Sequence, residues 1–487
     1  MTLLVPVGVP VLGALVHLLF GRRRATTWAG AASAAVVLAT AVALAVRVSR
    51  SGPVTAPAGL LRADALSAFM LLVIGAVGLI ATAATPAYFR TEVEAGRATT
   101  RTAARHGVLV QLFLATMALA VLAANLGVVW VAVEATTIVT AFLVGQRRTR
   151  ASVEAAWKYV VICSAGIALA LLGTIVLNFA AAHTPGTAGL DLVTLSAQAP
   201  GLDPGVTRIA IVLLVLGFGT KAGLAPLHAW LPDAHSQAPA PVSALMSGVL
   251  LSVALYAILR VKVISDAALG TGFARTLLTV MALASLVLAA SLLIGQRDYK
   301  RMLAYSSIEH LGLVAFGAAI GSPLALTAAL LHVLGHGLAK AVLFLGAGRV
   351  LQVTGTSRID GVRGLLARHP ALATTFGAGV LALIGLPPFS LFASELGIVR
   401  AGFSAGLGLV TSAALLLVLV IAAALITGTS RMLLGPPPTE DAAGTAAASP
   451  VPIALAGGLL ACAVLGVAAG GLPALLDLAT HPLVVTR

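Results

Sequence analysis

Apolar runs of membrane-spanning length follow one another along almost the whole chain, parted by short polar or basic stretches. They fall at about 3–20, 28–46, 63–83, 107–124, 126–145, 158–180, 207–226, 238–259, 276–295, 303–320, 323–348, 371–400 (interrupted), 404–428 and 451–473. About 20 apolar residues cross the hydrocarbon layer as a helix. The pattern therefore predicts an all-α polytopic membrane protein with about 14 transmembrane helices in a single membrane domain. The stretch 434–450, which contains GPPPTEDAAGTAAASP, reads as a linker before the last helix, and 181–205 as one longer external loop. The first run has no basic leader and is followed by Arg22, Arg23 and Arg24, so it reads as an anchor and not as a cleaved signal.

Composition narrows the function. Of 487 residues 59% are hydrophobic and only 9% charged, with a mean hydropathy of +1.05. Soluble proteins carry roughly a quarter charged residues, so a water-soluble enzyme is excluded and little chain is left for a soluble domain. Cys163 and Cys462 both sit in apolar runs, in no metal-ligand or disulfide pattern. We therefore expect no iron–sulfur cluster, and no cofactor or metal, in this chain. No phosphate-binding loop or dinucleotide fingerprint occurs in a strand–helix context.

The net charge of +14 invites a nucleic-acid reading, so its placement matters. With the N-terminus outside and loops alternating from there, 18 basic residues fall on the cytoplasmic side, nine outside and three within spans. The bias of basic residues towards cytoplasmic loops accounts for most of the excess. A nucleic-acid surface needs a basic face with stacking aromatics, which is lacking, and nucleic acid is rejected as a partner.

Arginine outnumbers lysine 25 to 5, yet Lys158, Lys221 and Lys340 fall in apolar runs. A charge at the bilayer centre costs at least about 2.5–3.5 kcal/mol. A desolvated amine can exchange its proton whereas a guanidinium effectively cannot, which points to proton handling. Lys158 starts its run and has the rival reading of a snorkelling helix-end lysine. His332, His336 and Lys340, spaced i, i+4, i+8, share one helix face over roughly 12 Å, as a proton relay requires. A metal reading is weaker, because no Glu or Cys on that helix completes a ligand set. Glu134 and Glu395 also lie in apolar surroundings, and a Glu134–Lys221 pair would offset the burial of both charges. Glu309 and His310 begin their helix near the cytoplasmic side and read as a solvated end, with proton entry as the alternative.

GLAPLHAWLPD (223–233) and GLPPFSLFASE (385–395) match at Gly223/Gly385, Leu224/Leu386 and Pro226/Pro388, and each ends in a carboxylate, Asp233 and Glu395. Gly-Pro interruptions at corresponding places in two halves point to an ion pathway in a transporter.

KAGLAPLHAWLPDAHSQAPAPVSALMSGVLLSVALYAILR (221–260), RDYKRMLAYSSIEHLGLV (297–314) and LHVLGHGLAKAVLFLGAGRV (331–350) resemble the antiporter-like membrane subunits of respiratory complex I, membrane-bound hydrogenases and multi-subunit cation/proton antiporters. EAAWKYVVICSAGIALALLGT (154–174) and SSIEHLG are most similar to hydrogenase-4 F-type subunits. The resemblance covers roughly residues 60–430. It implies two inverted five-helix repeats, at about 107–259 and 276–428, with the seventh and twelfth helices broken. It implies that Glu134 and Lys221 form a charge-coupling pair, that His332, His336 and Lys340 lie on a central hydrophilic axis, and that Glu395 ends the second half. The partners it implies are other membrane subunits and hydrophilic redox subunits in a cell (inner) membrane, with protons, or else sodium, as cargo. Redox-driven proton translocation is the leading reading; a cation/proton antiporter subunit without redox partner, or proton-coupled uptake of inorganic carbon, is the alternative. In one departure, Ser247 and Ser252 stand near the place of the Lys or His that bridges the two halves in relatives. His228 and His235, at the mouth of the seventh helix, are the candidates to replace it.

Overall fold

A computed structural model describes residues 2–21, 26–56, 59–184, 189–436, 453–467 and 472–483. Arg22–Arg24 and most of the expected 434–450 linker lie outside the described residues. The first half comprises α1 (Val5–Phe20), α2 (Ala29–Ser51), α3 (Ala65–Glu94), α4 (Thr100–Leu122), α5 (Leu126–Val144), α6 (Arg150–Ala182), a short α7 (Leu192–Gln198), α8 (Pro204–Lys221) and α9 (Trp230–Gln237). Then come α10 (Ala240–Leu245), running through a π-helical turn at Met246–Leu250 into α11 (Leu251–Leu269), followed by α12 (Thr271–Ile294), α13 (Tyr299–Ile320) and α14 (Pro323–Thr354). The chain continues through a one-turn α15 (Leu365–Arg368), α16 (Pro370–Leu383), α17 (Ser390–Ser404), α18 (Gly408–Leu434), α19 (Ile453–Val467) and α20 (Leu472–Thr480). The only described sheet is a two-residue hairpin of β1 (Val54–Thr55) and β2 (Arg62–Ala63) outside the bilayer segments.

Twelve of these helices are long and apolar enough to span a membrane. The count of fourteen is not reached on length: the twelfth expected run is divided between α16 and α17, and the last is described only over Ile453–Val467. Polar caps set several starts. The side chains of Asp64, Thr99, Asn125, Thr149, Asp203, Asp298 and Ser322 each accept a hydrogen bond from a first-turn backbone amide. These caps lie upstream of where hydropathy alone begins several helices, because basic first turns dilute the apolar signal.

Helices α10–α11, α13 and α14 form the buried centre, whereas α1, α6 and α18 turn much of their apolar surface outward. α14 meets the π turn backbone to backbone. A Cβ on Gly248 would sit 2.9 Å from the Gly337 carbonyl, and one on Gly337 2.8 Å from that of Gly248. Small residues permit this approach where bilayer burial gives helices little hydrophobic reason to associate. α11 runs ten residues past the expected end because its late polar groups are paired: Arg260 bonds the α3 cap Asp64 at 2.6 Å, and Lys262 pairs with Asp266 one turn on.

α8 and α9 are one broken helix, as are α16 and α17. Each first half ends with glycine in the left-handed region, Gly223 (φ 74°) and Gly385 (φ 68°), where a Cβ is disfavoured. The next amide reaches five residues back, Leu224 to the Gly219 carbonyl (2.9 Å) and Leu386 to that of Leu381 (3.2 Å). This is the glycine-terminated helix end, and in both a cis X–Pro bond follows, at Pro226 and Pro388. The two sequence matches thus fold alike.

Candidate functional site

Lys221 is the last residue of α8 and is fully buried at the break. Its ammonium donates to Thr137 Oγ1 (3.0 Å) and to the Tyr159 hydroxyl (2.7 Å), and lies 4.9 Å from the Tyr159 ring centroid. Thr137 in turn donates to Glu134 Oε2, one helical turn back on α5, at 3.0 Å. Ammonium and carboxylate are thus no farther apart than two 3.0 Å legs laid end to end. The expected Glu134–Lys221 partnership is there, but as a hydroxyl-bridged pair and not as a direct ion pair. Tyr159 meets Thr140 at 2.5 Å, and Thr140 donates to the Thr136 carbonyl, so Tyr159 is the donor between those hydroxyls. Backbone freed by the break is satisfied locally: Ala225 N–H donates to Ser285 (2.9 Å) and Trp230 Nε1–H to the Thr220 carbonyl (2.9 Å).

A second cluster lies between α13, α14 and α17. Lys340, fully buried, donates to the Leu303 carbonyl and to Ser306 Oγ, both at 2.6 Å. The His336 ring is 5.1 Å from that of His310, which is 5.1 Å from that of His332. The His310 Nδ1 to His332 Nε2 distance is 2.9 Å, and His332 Nδ1 is 3.0 Å from Ser394 Oγ. Because Ser394 donates to the Leu391 carbonyl, it accepts from His332 Nδ1–H. His332 Nε2 is then the acceptor for His310 Nδ1–H, and both protons are placed by this network. Glu309 Oε2 stands 4.0 Å from His310 Nε2. Glu395, beside Ser394, has one carboxylate oxygen with no protein hydrogen bond. Its carboxylate packs against Gly385, where a methyl group would overlap it, so the second break is shaped around this residue. Glu395 also lines a cleft of about 310 Å³ between α13, α17 and α18, otherwise walled by apolar groups and Thr411.

The donor atoms of His310, His332 and Glu395 lie within 4.8 Å of one another, a spacing open to a metal. Here the two imidazole nitrogens that face each other are joined by a hydrogen bond, and His332's other nitrogen is taken by Ser394.

The histidine column and Lys340 come together as their spacing implies, and Glu395 joins them. Two readings are corrected. Glu309 and His310 are not a solvated helix start but are buried about three turns into α13, because Asp298 caps that helix at Tyr299, earlier than its apolar run begins. Lys158 is not deeply buried: its side chain is 48% exposed and pairs with Glu154 (2.8 Å) and Asp233 (3.1 Å), outside both clusters. Asp233 also pairs with Arg301 of α13. His228 is half-buried in the first break, with Nδ1 3.2 Å from the Pro226 carbonyl. Sequence reasoning missed Thr137 and Tyr159. Thr137 carries one legible signal, its i, i+3 spacing from Glu134 on the same helix face.

Comparison with known proteins accords with this geometry. Residues 123–422 match the family described as NADH:quinone oxidoreductase/Mrp antiporter, transmembrane. A hydrogenase-4 component F homolog of Methylacidiphilum infernorum is 39% identical over 350 residues, 72% of this chain and 74% of that protein. The NADH-quinone oxidoreductase subunit N of Desulforudis audaxviator is 40% identical over 258 residues, 52% of this chain and 50% of that protein. In fold, the chain is similar to one in an archaeal membrane-bound sulfane sulfur reductase (TM-score 0.87, 24% identity, 99% of this chain and 97% of that one). It is also similar to a chain of Thermus thermophilus respiratory complex I (TM-score 0.79, 24% identity, 99% and 100% covered). The chain is a multi-pass membrane protein and belongs to the NADH:quinone oxidoreductase/Mrp antiporter transmembrane family.

Proposed function

We propose that this chain moves protons across the cell membrane as a subunit of a hydrogenase- or NADH-dehydrogenase-like redox complex, driven by electron transfer in partner subunits. The observation that carries the reading is the bonding of Lys221. Its amine is buried at a helix break and held only by two hydroxyls, one of which leads to Glu134. Hydroxyls donate and accept at once and so pass protons. The Lys340–imidazole–Glu395 cluster supplies the second half of the same axis. The matched breaks support a division into repeats at about 107–259 and 276–428. The arginine-rich loops support an N-terminus outside the cell. The chain itself carries out no bond chemistry in this reading.

The test is the complex purified with its own partner subunits and reconstituted in liposomes. Lys221→Ala is expected to abolish proton translocation while the subunits still copurify. An unchanged proton-to-electron ratio would overturn the proposal. Iron and hydrophilic subunits in the purified complex are the expected partners. Small membrane subunits alone, with sodium–proton exchange in vesicles, would replace the redox reading by the antiporter one.

A further inference from the structure

The two breaks share a left-handed glycine and a proline, yet they are not held alike. The first is pinned from outside by a hydrogen bond, from Ala225 N–H to Ser285 of α12 (2.9 Å). At the second, Pro387 stands in the place of Ala225 and has no N–H to give. The next amide, that of Phe389, bonds within the segment to the Leu386 carbonyl (3.1 Å). What meets this segment from outside is α19, which lies beyond the residues 123–422 that match the family. Gly458, Cys462 and Gly466 recur every four residues and so share one edge of that helix. Gly466 lies against the break itself. A Cβ there would overlap the Pro388 carbonyl oxygen and sit 2.6 Å from the Phe389 carbonyl carbon and 2.8 Å from the Ser390 nitrogen. These are backbone atoms, so no rotamer change makes room. One turn back, Cys462 Sγ is 3.4 Å from Ser390 Oγ and 3.9 Å from the Gly335 carbonyl of α14. Gly335 closes on the same serine from the other side, since its own Cβ would overlap Ser390 Oγ. The first turn of α17 is therefore held between α19 and the stretch of α14 that carries His332 and His336. Ser394 and Glu395 follow one turn later.

We propose that α19 is a clamp on the second break, with Gly466 and Cys462 as positioning residues that set where Ser394 and Glu395 stand against His332. This rests on the proton-translocation reading above and gives a role to a helix outside both repeats. The contact is close enough for small changes to be felt. A methyl group on Gly466 needs carbon contacts of about 3.5 Å where 2.6 Å is available, so helix and break must part by about 1 Å. Passed along α17, that displacement takes the 3.0 Å contact between Ser394 and His332 out of hydrogen-bond range.

The experiment uses the intact complex in liposomes and compares Gly466→Ala, Cys462→Leu, Cys462→Ser and Lys221→Ala. Gly457→Ala is the control on the same helix, since that position meets nothing within 4 Å. Two quantities are read. One is proton flux per subunit under an imposed membrane potential. The other is the infrared band of the Glu395 carboxyl group, identified as the one lost in Glu395→Gln. The clamp predicts that Gly466→Ala and Cys462→Leu lose at least about tenfold in flux, as a misplacement of about 1 Å does, and that the band shifts in both. Cys462→Ser, small and polar, is expected to keep flux within a few-fold of wild type with the band in place, as is Gly457→Ala. Normal flux in Gly466→Ala beside a dead Lys221→Ala overturns the clamp and leaves the translocation reading standing. A lowered flux with an unmoved band also overturns it, because α19 then only supports the fold. Normal flux in Lys221→Ala overturns the translocation reading, and the band, which needs no flux, still decides the clamp. If Gly466→Ala does not assemble, Cys462→Leu carries both readings.

Discussion

Replacing Thr137 by valine removes one hydroxyl and almost nothing else, since the two side chains have nearly the same shape. In the wild type that oxygen accepts from Lys221 and its proton goes to Glu134, each at 3.0 Å. A hydrogen bond to a charged group contributes about 1.5–3 kcal/mol. The direct attraction between the two charges is retained in Thr137→Val; at roughly 6 Å and an effective dielectric constant near 20 it amounts to about 3 kcal/mol. The variant therefore keeps the electrostatic pair and loses only the link. If proton transfer crosses that link, a loss of about 2 kcal/mol slows it roughly 30-fold. Glu134→Gln, which also deletes the attraction, is expected to be slower still. The assay is initial proton flux into liposomes containing the whole complex, normalised to subunit content. Thr137→Ser restores the oxygen and is expected to recover flux to within a few-fold of wild type. The bridging role is refuted if Thr137→Val stays within twofold of wild type while Lys221→Ala is inactive, or if serine is as slow as valine.

Gly385→Ala is expected to lower the melting temperature of the complex and its proton flux together, because the new methyl meets both a left-handed backbone and the Glu395 carboxylate. Gly457→Ala, which meets nothing within 4 Å, is the control; equal behaviour of the two would remove Gly385 from the site. At the N-terminal end of α3, burial pushes the Asp64 carboxyl up, but the Arg260 charge and hydrogen bonds from Arg260 and Ser67 outweigh it and hold it at about 2, below its ordinary 3.8. A carboxyl lower in the folded state stabilises above the unfolded value, and that stability is lost as pH falls from about 4 towards 2. Thermal unfolding, followed by labelling of the buried Cys163 and Cys462, is expected to become steeper with acidity in that window. Asp64→Asn keeps the helix cap and is expected to flatten the profile; an unaltered slope would refute the assignment.

The fold was largely legible because bilayer burial writes each span as a continuous run, and because Gly-Pro pairs mark breaks that no ordinary span tolerates. The second histidine cluster was half legible for a different reason. His332, His336 and Lys340 share one helix, so periodicity alone aligns them, whereas His310 and Ser394 come from two other helices and no spacing relates them. Glu309 and His310 were misplaced by a boundary. The basic turn Lys300–Arg301 lowers the hydropathy of a helix that Asp298 has already begun. Tyr159 stayed hidden beside Lys158, since adjacent residues face different ways and only the exposed one advertises a charge.

Four of the five lysines are deeply buried, but they are not the set that the apolar runs predict. Lys221, Lys262, Lys300 and Lys340 are buried, and Lys158 is not. Burial alone does not give the four one role; their acceptors separate them. Lys262 faces a carboxylate and Lys300 faces carbonyls, groups that accept a hydrogen bond and hold the amine in place. Among the described residues only Lys221 and Lys340 face hydroxyls, at Thr137, Tyr159 and Ser306, Lys340 sharing its amine between Ser306 and the Leu303 carbonyl. A hydroxyl has a proton of its own to hand on as it receives another, which an ionised carboxylate or a carbonyl lacks. In the proposed reading, conduction is therefore a property of the amine's partner, and that partner sits on another helix, 84 and 62 residues away for Lys221 and 34 for Lys340. Lysine placement along the chain can show where a charge is hidden, but only the tertiary contact decides whether that charge is fixed or mobile.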